Sequence, residues 1–242
     1  MWDKLIIDLI ALIFGLIFGS FYNVLIYRVP KDLSIVKPER SFCPVCKHQL
    51  EWKDNIPILS YLFLRGRCRY CGSKISIVYP LVEGSTALLF LLSAYLTNDI
   101  FSMIALWLLF SGAIIITVID FQTMLIPDFA VIMTAAGGAL WALMRGHLIV
   151  SLITAAVVFG IFFLIHLFSK NGMGFGDVEY IGALALYLTP ISIVWAVLIA
   201  SVSAIIFTIP MLATHKANRK TRVPFGPFLA IGVSIAIFVK FL

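Results

Sequence analysis

Apolar residues run in blocks of 16 to 23 along most of the chain, interrupted by short loops and by one long polar stretch. That is the length a helix needs to cross a hydrocarbon core about 30 Å thick at about 1.5 Å per residue. The pattern predicts spans near 5–27, 80–97, 101–119, 129–145, 148–168, 178–189, 191–212 and 225–242, the sixth being the shortest. The fold class expected is an all-α polytopic membrane protein of about eight transmembrane helices. Its organisation is a first transmembrane helix over 1–27, a polar insertion over 28–79 and a multi-helix membrane domain over 80–242. Internal repeats and low-complexity tracts are absent. The first run is read as a retained helix. It exceeds the roughly 7–15 apolar residues of a signal peptide's core, and "IYRVP" follows it where a small-residue cleavage site would stand.

Charge orients these spans. Residues 28–78 hold ten lysines and arginines, Lys170 adds one and "HKANRKTR" (215–222) four, so fifteen fall on one side if the spans alternate. Lys4, Arg145 and Lys240 remain for the other. The positive-inside rule then puts the insertion in the cytoplasm and the N-terminus outside. The net charge of +6 describes topology and contact with anionic lipid. No water-facing stretch interleaves bases with aromatics, so nucleic acid is not an expected partner.

The insertion contains all four cysteines, in "CPVC" (43–46) and "CRYC" (68–71). Two C-x-x-C pairs 21 residues apart match a four-thiolate tetrahedral zinc site built from Cys43, Cys46, Cys68 and Cys71. Two disulfides or four idle thiols are the alternatives, and a reducing cytoplasm disfavours the first. Four thiolates close the shell, so the metal would be structural and His48 a surface residue. An insertion this small has little core, and a metal cross-link supplies what the core lacks.

The acids carry the candidate chemistry, because a charge kept inside a bilayer usually serves a site or has a partner. Asp120 ends the third span and Asp177 opens the sixth, with two spans between them, so both return to the same face. Asp128 follows Pro127 at the entry of the fourth span, where N-cap is the natural assignment. Asp177 could cap the sixth. Asp120 sits at a helix C-terminus, where the helix dipole disfavours an anion, so a structural role explains it least. Glu83 could snorkel or pair with a basic residue of the insertion. His166 reads as a packed, hydrogen-bonded residue.

Two carboxylates together in a low-dielectric setting share a proton and titrate as a unit. That is the chemistry of aspartic proteolysis, in which the anion deprotonates water while the neutral acid polarises the scissile carbonyl. "GMGFGD" (172–177) suits it. Its glycines are expected to take positive φ and to let an extended peptide approach, with Gly174, Phe175 and Gly176 as a substrate-binding loop. A serine or cysteine triad is hard to assemble from the residues that remain.

At this level of detail the chain resembles the type IV prepilin peptidases, integral-membrane aspartic peptidases of the Gly-x-Gly-Asp type. The matching stretches are "GSFYNVLIYRVP" (19–30), "CPVC", "WKDNIPILSYL" (52–62), "GRCRYCGSKISIVYPLVE" (66–83), "DFQTMLIPD" (120–128), "GMGFGD" and "PFGPFLAIG" (224–232). The resemblance implies that Asp120 and Asp177 are the catalytic pair. It implies prepilins or pseudopilins as substrates, cut at the cytoplasmic face just before an apolar helix. It also implies N-methylation of the new terminus with S-adenosyl-L-methionine as cofactor, for which no glycine-rich fingerprint is present. The family commonly carries lysine two residues after the second aspartate, where this chain has Glu179. That departure bears on pH optimum and substrate preference. A proton- or cation-coupled transporter using Asp120 and Asp177 is the alternative, and would predict mid-membrane acids and paired half-helices. A third reading is a non-catalytic assembly factor, indifferent to Asp→Asn changes.

Overall fold

The computed structural model describes residues 2–169, 172–213 and 223–241. Lys170 and the basic stretch 215–222, on which the orientation argument partly rests, lie outside them. The chain divides into two compact units, Met1–Asn98 and Asp99–Leu242.

The first unit pairs two helices, α1 (Trp2–Arg28) and α3 (Val78–Leu96), with the insertion and its one-turn helix α2 (Leu59–Phe63) between them in sequence. Small residues set how closely the pair packs. A Cβ on Gly15 would lie 2.5 Å from the Ala87 Cα, and one on Gly19 would lie 2.7 Å from the Glu83 Cα. Such contacts drive helix association in lipid, where apolar side chains gain nothing by leaving their solvent. The opposite face of α1, including Leu5, Leu9, Ile13 and Ile17, is exposed. An apolar surface of that extent fits a hydrocarbon solvent and would drive association in water.

Two buried charges fasten the insertion. Arg28, at the end of α1, donates from Nη1 to the carbonyls of Ser34 and Ile35 (both 2.9 Å) and from Nη2 to those of Pro38 (3.0 Å) and Arg40 (3.4 Å). One guanidinium thereby gathers the chain that leaves the helix. Glu83 neither snorkels nor pairs with a base. It is buried on α3 and accepts the Ile58 N–H at 2.7 Å. Ile58 sits at φ 60°, ψ −48°, a conformation a β-branched residue adopts only under constraint. The Glu83 carboxylate is part of that constraint.

The second unit holds α4 (Ile100–Thr123), α5 (Asp128–Met144), α6 (Leu148–Phe168), α7 (Phe175–Ala185), α8 (Pro190–Ala213) and α9 (Gly226–Phe241). Asp99 caps α4, its carboxylate accepting the Ser102 N–H at 2.7 Å. The centre of the unit is α7, which packs against α5, α6 and α9. Val178 and Tyr180 through Ala185 are all buried, the pattern of a helix enclosed on every side. Just beyond it, the Tyr187 hydroxyl donates to the Ala105 carbonyl of α4 at 3.0 Å. Gly138 admits this segment, since a Cβ there would lie 2.5 Å from the Leu186 Cβ. On α6, by contrast, only Ser151 and Thr154 are buried.

Helices stand at all eight predicted positions, but not all can cross a bilayer alone. Among the described residues five are long and apolar enough, namely Lys4–Lys31, α3, α4, α6 and Pro190–Pro210. The 17-residue α5 and 16-residue α9 are shorter. The 11-residue α7 rises only about 16 Å. It also begins at Phe175, three residues before the predicted span, because the Gly-x-Gly segment itself winds into the first turn.

Candidate active site

Asp120 lies in the last turn of α4, only 4% exposed. Its backbone carbonyl accepts the Met124 N–H at 2.9 Å where the helix ends in a left-handed residue. A carboxylate at a helix C-terminus needs compensation, and a different helix provides it. Gly226 opens α9, and its N–H donates to Asp120 Oδ2 at 3.0 Å. The positive end of the α9 dipole thus meets an anion that the α4 dipole disfavours.

Asp177 occupies the third position of α7, with Gly174 as the N-cap. A Cβ on Gly174 would stand 3.2 Å from Asp177 Oδ2, so the N-cap backbone lies close against the carboxylate. Asp177 Oδ1 is left buried without a hydrogen-bond partner among the described residues. The two carboxylates interact electrostatically. Ile126, in the α4–α5 connection, lies between the two helix starts that hold them. A Cβ on Gly176 would sit 2.9 Å from the Ile126 Cβ, and one on Gly226 would sit 3.5 Å from the Ile126 Cδ1. The C-terminus of α4 and the N-termini of α7 and α9 therefore converge. Asp120 has a glycine amide bonded to it, and the start of α7 lies close against the Asp177 carboxylate.

Three expectations are corrected by this geometry. The glycines before Asp177 do not supply positive φ. Gly174 sits at φ −68°, ψ 146°, Gly176 is helical, and the described glycines at positive φ are Gly66, Gly72 and Gly146. Crowding requires glycine at 176, where a Cβ would fall 2.9 Å from the Ile126 Cβ; at 174 a Cβ would stand 3.2 Å from Asp177 Oδ2, a tight contact with a side chain that can turn. Asp128 does not cap α5. Pro127 is the N-cap, and Asp128 is the exposed first residue without a capping bond. Gly174, Phe175 and Gly176, expected as a loop, are an N-cap followed by helix. Glu179, two residues after Asp177, is half-buried and feels the charge of Asp128. Gly226 and Ile126 were not singled out from sequence. A glycine followed by proline at the mouth of an apolar run was the available signal for the first, since that pair favours a helix start.

In the first unit the four cysteines meet. The Sγ atoms of Cys43, Cys46, Cys68 and Cys71 all lie within 4.8 Å of one another, and all four are free thiols. The two C-x-x-C pairs are built alike. Lys47 N–H donates to the Cys43 carbonyl and Gly72 N–H to the Cys68 carbonyl, both at 2.9 Å, with Lys47 (φ 60°) and Gly72 (φ 71°) left-handed. Short antiparallel bridges, Phe42 with Gln49 and Arg67 with Lys74, close the two hairpins. Burial pushes the Cys43 thiol up, and the backbone amides of Cys46 and Val45 more than reverse this, holding it at about 6. His48 is exposed and stacks on Tyr70 at 3.7 Å between ring centroids, away from the cluster's ligand set. Asp54 ties the second hairpin to the preceding turn, accepting from Arg69 Nε (2.7 Å) and from the Tyr70 hydroxyl (2.9 Å). That bond to Asp54 pushes the Tyr70 phenol up to about 12.

Fold and site together define a polytopic helical membrane protein with a pair of aspartates at helix ends, Asp120 buried and Asp177 half-buried, and a four-cysteine cluster. Its sequence matches the model of the bacterial peptidase A24 N-terminal domain over residues 13–97 and that of the type IV leader peptidase family over 107–209. The gap between the two matches contains the division between the two compact units. It is 32% identical over 259 residues to the prepilin leader peptidase/N-methyltransferase of Aeromonas salmonicida, covering 94% of this chain and 89% of the relative. Against the protein of that name from Klebsiella pneumoniae it is 36% identical over 205 residues, 78% of this chain and 89% of the relative. Against the type 4 prepilin-like proteins leader peptide-processing enzyme of Escherichia coli it is 33% identical over 258 residues, 96% and 93%. No solved structure matches. The chain belongs to the type IV leader peptidase family. The transporter alternative finds no support in these relatives.

Proposed function

We propose that the protein is a membrane aspartic endopeptidase that removes the leader from prepilins or pseudopilins, with Asp120 and Asp177 as its catalytic pair. The observation that carries this is two carboxylates that interact electrostatically where three helix ends converge, Asp120 held by the Gly226 amide and Asp177 Oδ1 buried without a hydrogen-bond partner among the described residues. In the reaction the ionised member takes a proton from water as its oxygen attacks the scissile carbonyl carbon. The protonated member donates a hydrogen bond, then its proton, to the carbonyl oxygen. Collapse of the tetrahedral intermediate breaks the C–N bond, and the leaving nitrogen takes up a proton from the pair. A pair placed at helix ends receives extended backbone at the membrane edge, where irregular chain is tolerated against protein.

The active face and the 28–79 insertion are assigned to the cytoplasmic side of the bacterial inner membrane, on the basic residues of that insertion. N-methylation of the newly exposed terminus belongs to the same reading, on the strength of the relatives' activity, and S-adenosyl-L-methionine would supply the methyl group. Incubating detergent-solubilised protein with a prepilin and S-adenosyl-L-methionine, then measuring product mass, tests both steps. Leader loss reports the peptidase and a further methyl mass the transferase. An intact prepilin after prolonged incubation would overturn the reading.

The cysteine cluster is assigned to structural Zn²⁺. Two sulfurs each about 2.3 Å from a tetrahedral zinc lie about 3.8 Å apart, and Cys43 and Cys71 stand at 3.9 Å. Purified protein is expected to carry one zinc per chain by metal analysis. Cys68→Ser is expected to lose it and to make the insertion sensitive to protease. Protein that folds, resists protease and contains no zinc would refute the assignment. Asp128→Asn is expected to keep cleavage within about threefold of wild type, because its carboxylate makes no capping bond and the exposed first turn loses only a few tenths of a kcal/mol of dipole interaction.

A further inference from the structure

Three glycines in six residues precede Asp177, at 172, 174 and 176, so the segment has little intrinsic stiffness of its own. Something outside it must fix where the α7 start, and with it the carboxylate, comes to rest. His166, in the last turn of α6, is placed to do so. Its Nδ1 lies 2.8 Å from the Met173 carbonyl oxygen. A carbonyl can only accept, so Nδ1 carries the proton and donates. The imidazole also packs edge-on against Phe175, with centroids 5.8 Å apart, and stacks on Phe163 at 6.5 Å. Phe163 meets Phe175 edge to face at 6.3 Å. One side chain on α6 thus grips the residues immediately before and after Gly174, against which the Asp177 carboxylate rests, 3.2 Å from the Cβ position of that glycine.

We infer that His166 is a positioning residue of the peptidase, fixing Asp177 through the Met173 carbonyl and the Phe175 ring. The inference rests on the reading of Asp177 as catalytic. It adds a residue from a helix that the dyad itself does not include. His166 holds no proton that the reaction uses. It acts through the geometry of the loop.

The roles of the two ring nitrogens make a sharp test. Asn places an amide donor where Nδ1 stands, whereas Gln places it one methylene further, where Nε2 stands. His166→Asn is therefore expected to cleave a prepilin within about threefold of wild type. His166→Gln and His166→Leu are expected to lose roughly 10- to 100-fold in kcat with KM nearly unchanged, the scale of an ångström-level displacement of a reacting group. Thermal unfolding of each variant in detergent is measured alongside. If His166→Leu does not fold, the Asn and Gln pair, both neutral amides, still decides the question. Equal kcat for those two, or wild-type kcat for a folded His166→Leu, would overturn the inference. Asp177→Asn run in parallel separates the two levels. Cleavage by that variant would sink the dyad reading itself, whereas an inactive Asp177→Asn beside a fully active His166→Gln would sink only the positioning role.

Discussion

Asp120→Asn and Asp177→Asn are each expected to abolish prepilin cleavage, by about 10²- to 10⁴-fold, while the protein still inserts and folds. The amide is isosteric with the carboxyl and keeps an oxygen. In Asp120→Asn that oxygen can still accept the Gly226 N–H, now made at 3.0 Å, so the α4–α9 contact survives. What disappears is the ability to take or give a proton at that place. Asp120→Ala is a poorer test, because it also orphans a buried amide at a cost of about 1–3 kcal/mol. Loss in both Asn variants, with zinc content and thermal unfolding unchanged, is the expected outcome. Full activity in Asp120→Asn would leave the mechanism without its pair.

The reason for two separate losses lies in how the pair is held. Asp120 is bonded by the Gly226 amide, Asp177 lies against the Gly174 backbone, and the two carboxylates interact electrostatically. Neither has a basic partner among the described ion pairs, which lie in the insertion. A salt bridge would fix a carboxylate as an anion and remove it from proton transfer. The Gly226 amide orients Asp120 without fixing its charge and leaves the proton free to be shared.

Periodicity made the helices legible, since a run of about 20 apolar residues has few alternatives to a membrane span. The two aspartates were legible because a charge in such a run requires an explanation, and the spacing of the cysteines made their cluster so. The partners were not legible. Gly226 is 106 residues from Asp120, and nothing local in "PFGPF" says which helix end it will meet. Glu83 reaches back 25 residues to a single backbone amide of Ile58, which no charge pattern encodes. The glycines of "GMGFGD" were visible but their use was not. A glycine demanded by positive φ and one demanded by a neighbour at van der Waals contact look identical in a sequence. Gly176, helical and with a Cβ position 2.9 Å from the Ile126 Cβ, belongs to the second kind.

That distinction sets up the last expectation. Gly226→Ala is expected to cut cleavage by about 10²-fold although it changes no charge and adds one methyl group. The new Cβ would lie 2.9 Å from Asp120 Oδ2 and 3.0 Å from the Ile116 Cγ2. Both are closer than carbon normally approaches, and the second is a buried β-branched side chain that cannot easily give way. The carboxylate is then the group that moves, rotating away from the amide that orients it. Gly176→Val is expected to do similar damage from the other side. Its Cβ would fall 2.9 Å from the Ile126 Cβ, an atom fixed to its backbone, and the branch adds volume where α7 must seat Asp177. Gly172→Ala should be mild, its contacts being no closer than 3.2 Å, to Ser169. Gly160→Ala on α6 is the control, because nothing lies within 4 Å of its Cβ position and alanine favours the helix. Comparing kcat for the four variants at matched membrane yield decides the matter. Wild-type turnover by Gly226→Ala would mean that the amide is incidental to Asp120 and that the carboxylate is oriented by something else.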